Sequence, residues 1–487
     1  MKKAAVIGSG VGGLAIAIRL AAKGYRVTVF EKEANVGGKL NELRINGFRF
    51  DTGPSLFTLP SMMDELIKLS NITPNQPFSY KKLENVTRYF YPDGKVLNSW
   101  SNPDRFAEEA ESVLKEPASN IKKYLNECSE LYRLTANMFI NSPFPTWKGF
   151  TSPEAREIGK NMAQLKAFRS MHRVNRSSFL QDQTVQLFDR FATYNGSNPY
   201  KAPGTLTIIP HLEHNVGAYF PKNGMYSIAQ TMYEIAAKMG VKFVFKCTVE
   251  QIEIRRREIA GIIANGASHP FDLIVNDTDI FTAYPKLMPD QKLGWLYKRQ
   301  QPSTSALIFY WGIKGTFAKL DLHNILFSSN YSEEFKILEN KGISSDPTVY
   351  IFVSSKAVKN DAPQGHENWF VMVNAPEVCN QNWDELTKIV RTNILKKIKL
   401  ILGIDIEPLI TCEEVLTPPL IEQRTGSYRG SLYGISSNSM LAAFSRHPNR
   451  STKVKNLYFT GGSVHPGGGI PLCLASAKIV DSFIKPI

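Results

Sequence analysis

A chain of 487 residues that is 43% hydrophobic, 11% aromatic and 21% charged has apolar material for two or three packed units, which excludes a disordered or low-complexity protein. Its 58 Lys and Arg outnumber 44 Asp and Glu, and the net charge of +14 favours an anionic partner: a membrane surface, a nucleic acid or an acidic substrate. Five cysteines (Cys128, Cys247, Cys379, Cys412, Cys473) stand singly, so the sequence predicts a reducing compartment and neither a disulfide framework nor a metal site. Met1-Lys2-Lys3 ahead of apolar residues imitates a secretory leader, but Gly8, Gly10, Gly12, Gly13 and Arg19 break the run. No apolar stretch reaches the roughly 18 residues of a spanning helix. The expectation is a cytoplasmic protein, soluble or peripherally attached to a membrane, with no cleaved targeting segment.

In chain order, residues 4–7 form a short apolar run suited to a buried strand. Gly8-Ser9-Gly10-Val11-Gly12-Gly13 follows at once, residues 14–22 have the composition of a helix, and residues 27–30 give a second strand ending at Glu31. That order is a dinucleotide-binding fingerprint. Gly8 turns the chain, Gly10 lets backbone approach a pyrophosphate, and Gly13 lets the helix pack on the strand. The helix N-terminus offers free N–H groups to the phosphates, and Glu31 is placed to accept hydrogen bonds from ribose hydroxyls. Val36-Gly37-Gly38-Lys39 adds a glycine pair and a cation that can meet a diphosphate or carboxylate. Phe50-Asp51-Thr52-Gly53-Pro54-Ser55-Leu56 is a further turn of small residues.

With these motifs the sequence resembles the flavin amine-oxidase-like superfamily and, within it, the bacterial phytoene desaturase family of carotenoid desaturases. The resemblance continues through residues 216–225, a turn before an expected helix at 226–239, and through the alternating residues 242–254. It takes in Thr248-Val249, where the family clasps adenine through backbone, and residues 271–277, a strand returning to the nucleotide domain. Its most specific segment is Asn456-Leu457-Tyr458-Phe459-Thr460-Gly461-Gly462-Ser463-Val464-His465-Pro466-Gly467-Gly468-Gly469-Ile470-Pro471-Leu472, a strand, glycines, His-Pro-Gly and then a helix under the flavin. A positive helix end there would stabilise the anionic reduced ring. The resemblance implies FAD, not NAD, with Gly8, Gly10, Gly13, Glu31, Lys39, Ser55, Leu56, Val249, Asn276, Gly462, Ile470 and Leu472 at the cofactor. His465, held between Val464 and Pro466, is expected to be structural, and no residue is assigned as catalytic.

The expected architecture is α/β: a Rossmann-type FAD-binding domain assembled from residues 1–80, 205–290 and 410–487. Residues 81–204 and 291–409 would form an inserted sheet-plus-helix domain for substrate and membrane. Between Arg156 and Arg176, six cations (Arg156, Lys160, Lys166, Arg169, Arg173, Arg176) face one acid, Glu157, next to the aromatic residues 144–150. This suits an anionic membrane surface as well as it suits a solvated basic face. No nucleic-acid-binding module is visible. Residues 386–402 read as an ordinary core-facing amphipathic helix. Residues 303–313 read either as a buried core strand or as the lining of an apolar tunnel.

Those last residues, with Leu322-His323-Asn324-Ile325 and the Gly-Gly-Ser-Val-His-Pro form of the C-terminal motif, resemble the hydroxycarotenoid 3,4-desaturase branch. The resemblance implies a carotenoid substrate. A hydride would leave an allylic carbon for the flavin, and the neighbouring carbon would then lose a proton. The polyene-spread cation needs no strong base, and reoxidation would use oxygen or a quinone. The alternatives are a phytoene or diapophytoene desaturase, a carotenoid isomerase or retinol saturase, a flavin amine or porphyrinogen oxidase, and a non-catalytic prenyl-lipid carrier on the same fold.

Overall fold

The computed structural model of the chain describes residues 1–140, 142–143, 165–439 and 445–487. Residues 144–150, Arg156, Glu157 and Lys160, part of the stretch that suits either a membrane surface or a solvated face, lie outside them.

Lys3–Ile7 is flanked in parallel by Arg26–Phe30 and Leu273–Asn276, and Lys242–Val244 and Leu457–Phe459 complete a five-stranded parallel sheet on either side. A parallel sheet survives only with both faces covered, which is why Ala4, Ala5 and Val6 are wholly buried and the strand is apolar on every residue but its first. Helices Val11–Ala22, Ser227–Lys238 and Ile470–Ser482 cover one face, bringing Leu14, Ile18, Met232 and Leu474 into one core. On the other face lies an antiparallel sheet of Val249–Arg255, Glu258–Ala264 and Ala267–Pro270. This is a Rossmann-type layer structure built from three separated stretches of chain.

The alternating residues 242–254 prove to be two strands in two different sheets. Lys246 takes a positive φ of 51°, and the N–H groups of Lys246 and Cys247 donate to the carbonyls of Glu33 and Glu31. The break thus ties this crossover to the end of the second strand.

A seven-stranded mixed sheet makes the other half, in the order Ile410–Leu416, Ser305–Lys314, His366–Ala375, Val349–Phe352, His323–Leu326, Asn85–Phe90 and Val96–Trp100. Residues 410–416, expected in the nucleotide-binding part, are an edge strand here, because Cys412 and Leu416 bury against Ser305–Lys314. That neighbouring strand is buried on both faces. Leu307, Phe309, Trp311 and Ile313 pack under Trp383–Leu402 through its Val390, Ile394, Ile398 and Leu402. Ala306, Ile308 and Tyr310 face the nucleotide-binding core instead. Helices Pro103–Leu114, Ala118–Phe139, Met171–Ser178 and Asp182–Asp189 form a third core around Phe106, Tyr124, Phe188 and Phe191. Among the described residues, no helix is long and apolar enough to cross a membrane.

Candidate cofactor and substrate site

The carboxyl ends of the first, second and fourth parallel-sheet segments in the chain converge with the glycine loop, the place where open α/β sheets hold ligands. A side-chain carbon on Gly13 would lie 2.2 Å from the Gly8 carbonyl, so only glycine lets Val11–Ala22 start this close to the strand. One on Gly10 would lie 2.7 Å from Asp277 Oδ2. Glu31 is buried, and its Oε2 accepts the Ser9 N–H at 2.8 Å and the Ser9 hydroxyl at 2.6 Å. Its Oε1 accepts the Glu33 N–H at 2.9 Å. Oε2 is thereby filled while Oε1 keeps a lone pair for a ribose hydroxyl, so the fingerprint is assembled with its acid fixed.

Lys39, Asp277, Asp279, Cys473, Tyr350 and Tyr433 lie deep in the fold yet retain accessible surface, so they line an internal space. The Lys39 ammonium donates to the carbonyls of Ser431 at 2.9 Å and Leu432 at 2.6 Å, with one donor to spare, and burial lowers its pKa. The hydroxyls of Ser55 and Tyr350 share a 2.6 Å hydrogen bond, and Tyr350 meets His323 Nδ1 at 2.8 Å. Leu56 is half-buried beside Ser55. Val249 is buried at the head of its strand, two residues beyond the Cys247 tie to Glu31.

At the C-terminal motif, Gly462 stands where a side-chain carbon would be 3.3 Å from the Gly468 Cα. Ile470 is the buried first residue of Ile470–Ser482, which begins with Pro471 in its first turn. Leu472 turns toward Ala118–Phe139, packing with Ala136, Ile140 and Tyr132. His465 is buried, and its Nε2 lies 3.0 Å from the Ser142 carbonyl, which can only accept, so that nitrogen carries the proton. Burial pushes the His465 pKa down to about 4.

Three features were not read from the sequence. The Asn276 amide folds back on Thr278, donating to its carbonyl and accepting its hydroxyl proton. The neighbouring Asp277 takes the place at the glycine loop: its oxygens lie 2.5–2.9 Å from the side-chain positions of Gly10, Gly12, Gly13 and Gly461. Arg446 is buried against Gly467, its NH1 without a hydrogen-bond partner among the described residues; Ser437 Oγ is within 3.3 Å of NH2. The third is the Ser55–Tyr350–His323 chain, which joins residues far apart in sequence. An acid directly after a strand that pairs beside the fingerprint strand was the available signal for Asp277.

The site fits a flavin dinucleotide on its own geometry. A glycine cradle already holds one carboxyl group, Asp277, and a fixed acid stands at the ribose position. The family model for flavin containing amine oxidoreductases matches residues 11–480. The 1-hydroxycarotenoid 3,4-desaturase of a Flavobacterium sp. is 45% identical over 485 residues, 99% of each chain. The 4,4'-diapolycopene oxygenase of a Methylomonas sp. is 30% identical, covering 98% of this chain and 96% of its own. Among solved structures, a redesigned putrescine oxidase covers 99% of this chain and 98% of its own with a TM-score of 0.65 at 13% identity. RAB GDI from Plasmodium falciparum covers 100% and 99% with a TM-score of 0.54 at 11% identity. At such identities these two likenesses show the fold alone. The chain belongs to the flavin containing amine oxidoreductase family, and its cofactor is FAD.

Proposed function

We propose that the chain is an FAD-dependent carotenoid desaturase, an oxidoreductase of CH–CH groups that forms the 3,4 double bond of a 1-hydroxycarotenoid. The observation that carries this reading is the 45% identity along 99% of both chains with the 1-hydroxycarotenoid 3,4-desaturase, joined here to an intact nucleotide cradle. A non-catalytic carrier on this fold has no use for that cradle.

FAD, when bound, supplies the hydride acceptor. Glu31 holds the ribose, and the loop N–H groups hold the pyrophosphate. Tyr350 and Tyr433 would line the polyene's path and, with the apolar core around them, keep water from the carbon pair being oxidised. The Ser55–Tyr350–His323 chain is the polar point in that lining and suits a substrate hydroxyl. His465 is neutral at pH 7 and committed to the Ser142 carbonyl. A polyene-stabilised cation can lose its proton without such a base, and oxygen or a quinone completes the cycle.

A carotenoid does not travel through water, so the enzyme must collect it from a bilayer. Phe168 is 78% exposed next to Arg169, an apolar side chain beside a cation that suits peripheral attachment to anionic lipid. Expression in a host supplied with hydroxylated and non-hydroxylated carotenes, followed by chromatography and mass analysis, tests the reading. Loss of two hydrogens from the hydroxylated carotene supports it. Gain of oxygen would make the chain an oxygenase, and unchanged mass in a rearranged product would make it an isomerase.

A further inference from the structure

We propose that Asp277 binds the pyrophosphate of FAD as a neutral acid, so that cofactor binding takes up one proton at this residue. The inference rests on the reading that the glycine loop holds FAD. It starts from where the carboxylate stands. Gly10 is the position at which a missing side chain lets a pyrophosphate approach the backbone. Asp277 Oδ2 lies 2.7 Å from that missing carbon, and Oδ1 lies 2.5 Å from the one missing at Gly12 and 2.6 Å from the one missing at Gly461. The backbone N–H groups of Gly13 and Gly10 lie near the carboxylate and favour its charged form. The carboxylate and the pyrophosphate are therefore anions with claims on the same donors and the same few ångströms.

Two negative groups this close cannot both stay ionised at neutral pH, and the carboxyl is the one able to change. Once protonated it stops competing as an anion and becomes an O–H donor, able to give a short, charge-assisted hydrogen bond to a phosphate oxygen. Its surroundings already favour the neutral form. Burial raises its pKa to about 8; the Gly13 and Gly10 N–H groups pull it down, and the Glu31 carboxylate pushes it further up. The other titratable groups nearby do not compensate it. The Cys473 thiol, on Ile470–Ser482, is itself pushed up to about 12 by burial, so it is neutral. Lys39 faces Asp279 and Cys473 and gives two of its three protons to the Ser431 and Leu432 carbonyls. Val11–Ala22 begins with no acidic or basic residue in its first turn. Among the described residues, Asp277 thus meets no cation that would keep it ionised beside a phosphate.

The test is FAD binding to deflavinated protein, followed by flavin fluorescence between pH 6.5 and 9.5, with circular dichroism confirming that the fold persists. The dissociation constant should be flat at the acid end and should rise toward about tenfold per pH unit above pH 8. In weakly buffered solution at pH 9, uptake should approach one proton per FAD, falling close to none at pH 6.5. Asp277→Asn keeps the shape and a donor but cannot titrate; it should bind at pH 9 about as tightly as the unaltered protein binds at pH 7, with no proton uptake. Glu31 is common to both proteins, so the difference isolates Asp277. A flat profile in the unaltered protein, or an equal slope in the Asn variant, overturns the proposal and leaves the cofactor assignment intact. Failure to bind FAD at every pH would instead overturn the assignment on which it rests.

Discussion

Glu31 does two things with one carboxylate: it offers lone pairs to a ribose, and it pins the glycine loop through Ser9. Glu31→Ala should therefore weaken FAD binding by about 1.5–3 kcal/mol from lost charged hydrogen bonds. Gly10→Val should be worse, because the valine side chain would collide with Asp277 and fill the pyrophosphate space. Flavin absorbance of the purified variants measures both, and stoichiometric flavin in each would refute the assignment. His465→Ala should lower activity per bound FAD by less than the roughly hundredfold expected when a general acid–base group is lost. A larger drop with flavin content intact would mean that His465 moves a proton. Glycine spacing and the acid 20 residues on were legible because they serve backbone geometry, which the sequence spells directly. That Asp277, next to Asn276, stands against the glycine loop was not. Which of two adjacent polar residues enters a site is decided by the turn after the strand, here closed by the Asn276–Thr278 hydrogen bonds.

Helices emerge where the sequence puts them: Ser227–Lys238 and Trp383–Leu402 each bury one coherent face, whereas Val11–Ala22 is buried on every side from Val11 to Leu20. Strand partners are less legible, because alternation says which face is buried and never which sheet receives it. Residues 242–254 divide between two sheets, and Ile410–Leu416 joins the larger one for this reason. The basic helix Met171–Ser178 shows a related limit. Counting cations overlooks their partners: Arg176 pairs with Asp182, and Lys166 sits 2.6 Å from Glu127. Arg169, next to exposed Phe168, and Arg173 carry the charge that remains. Binding to anionic vesicles should weaken as salt shortens the screening length to about 8 Å at physiological ionic strength. Replacing Arg169 and Arg173 with Gln should weaken it more than Arg176→Gln does. Vesicle co-sedimentation in which neutral and anionic lipid bind alike, at any salt, would remove the electrostatic contribution.

At the scale of the whole molecule, two sheets of different construction must be held in register around one internal space. The ribbon Glu42–Ile45 and Phe48–Asp51 bridges them, and Arg49 is its fastener. The buried guanidinium bonds Glu42 at 2.6 Å, Asp51 at 2.7 Å and Asp361 at 3.1 Å, with Asp361 contributed by the substrate-side half. Asp51 also accepts the N–H groups of Met225 and Tyr226, just ahead of Ser227–Lys238. No local pattern announces such a junction, since Arg49 and Asp361 are 312 residues apart. Removing one member of a buried ion cluster leaves the others charged and unpaired, so Arg49→Ala should cost about 3–5 kcal/mol of stability at pH 7.

The pH dependence follows from which groups Arg49 holds ionised. Burial opposes ionisation of Glu42, but hydrogen bonds from Arg44 and Arg49 outweigh it and hold its pKa below the usual value. Its contribution is therefore present above the unfolded pKa and lost as pH falls through the folded one. Asp361 is raised by burial, with Arg49 pulling it back. In Arg49→Ala that pull is gone, the Asp361 carboxyl rises further, and protonation relieves it at a milder pH. The stability deficit of the variant should thus shrink between pH 7 and pH 4. Urea unfolding of both proteins at the two pH values reads this directly. A deficit under about 1 kcal/mol, the range of an exposed pair, or one that does not change with pH, would show that Arg49 is not the fastener between the halves.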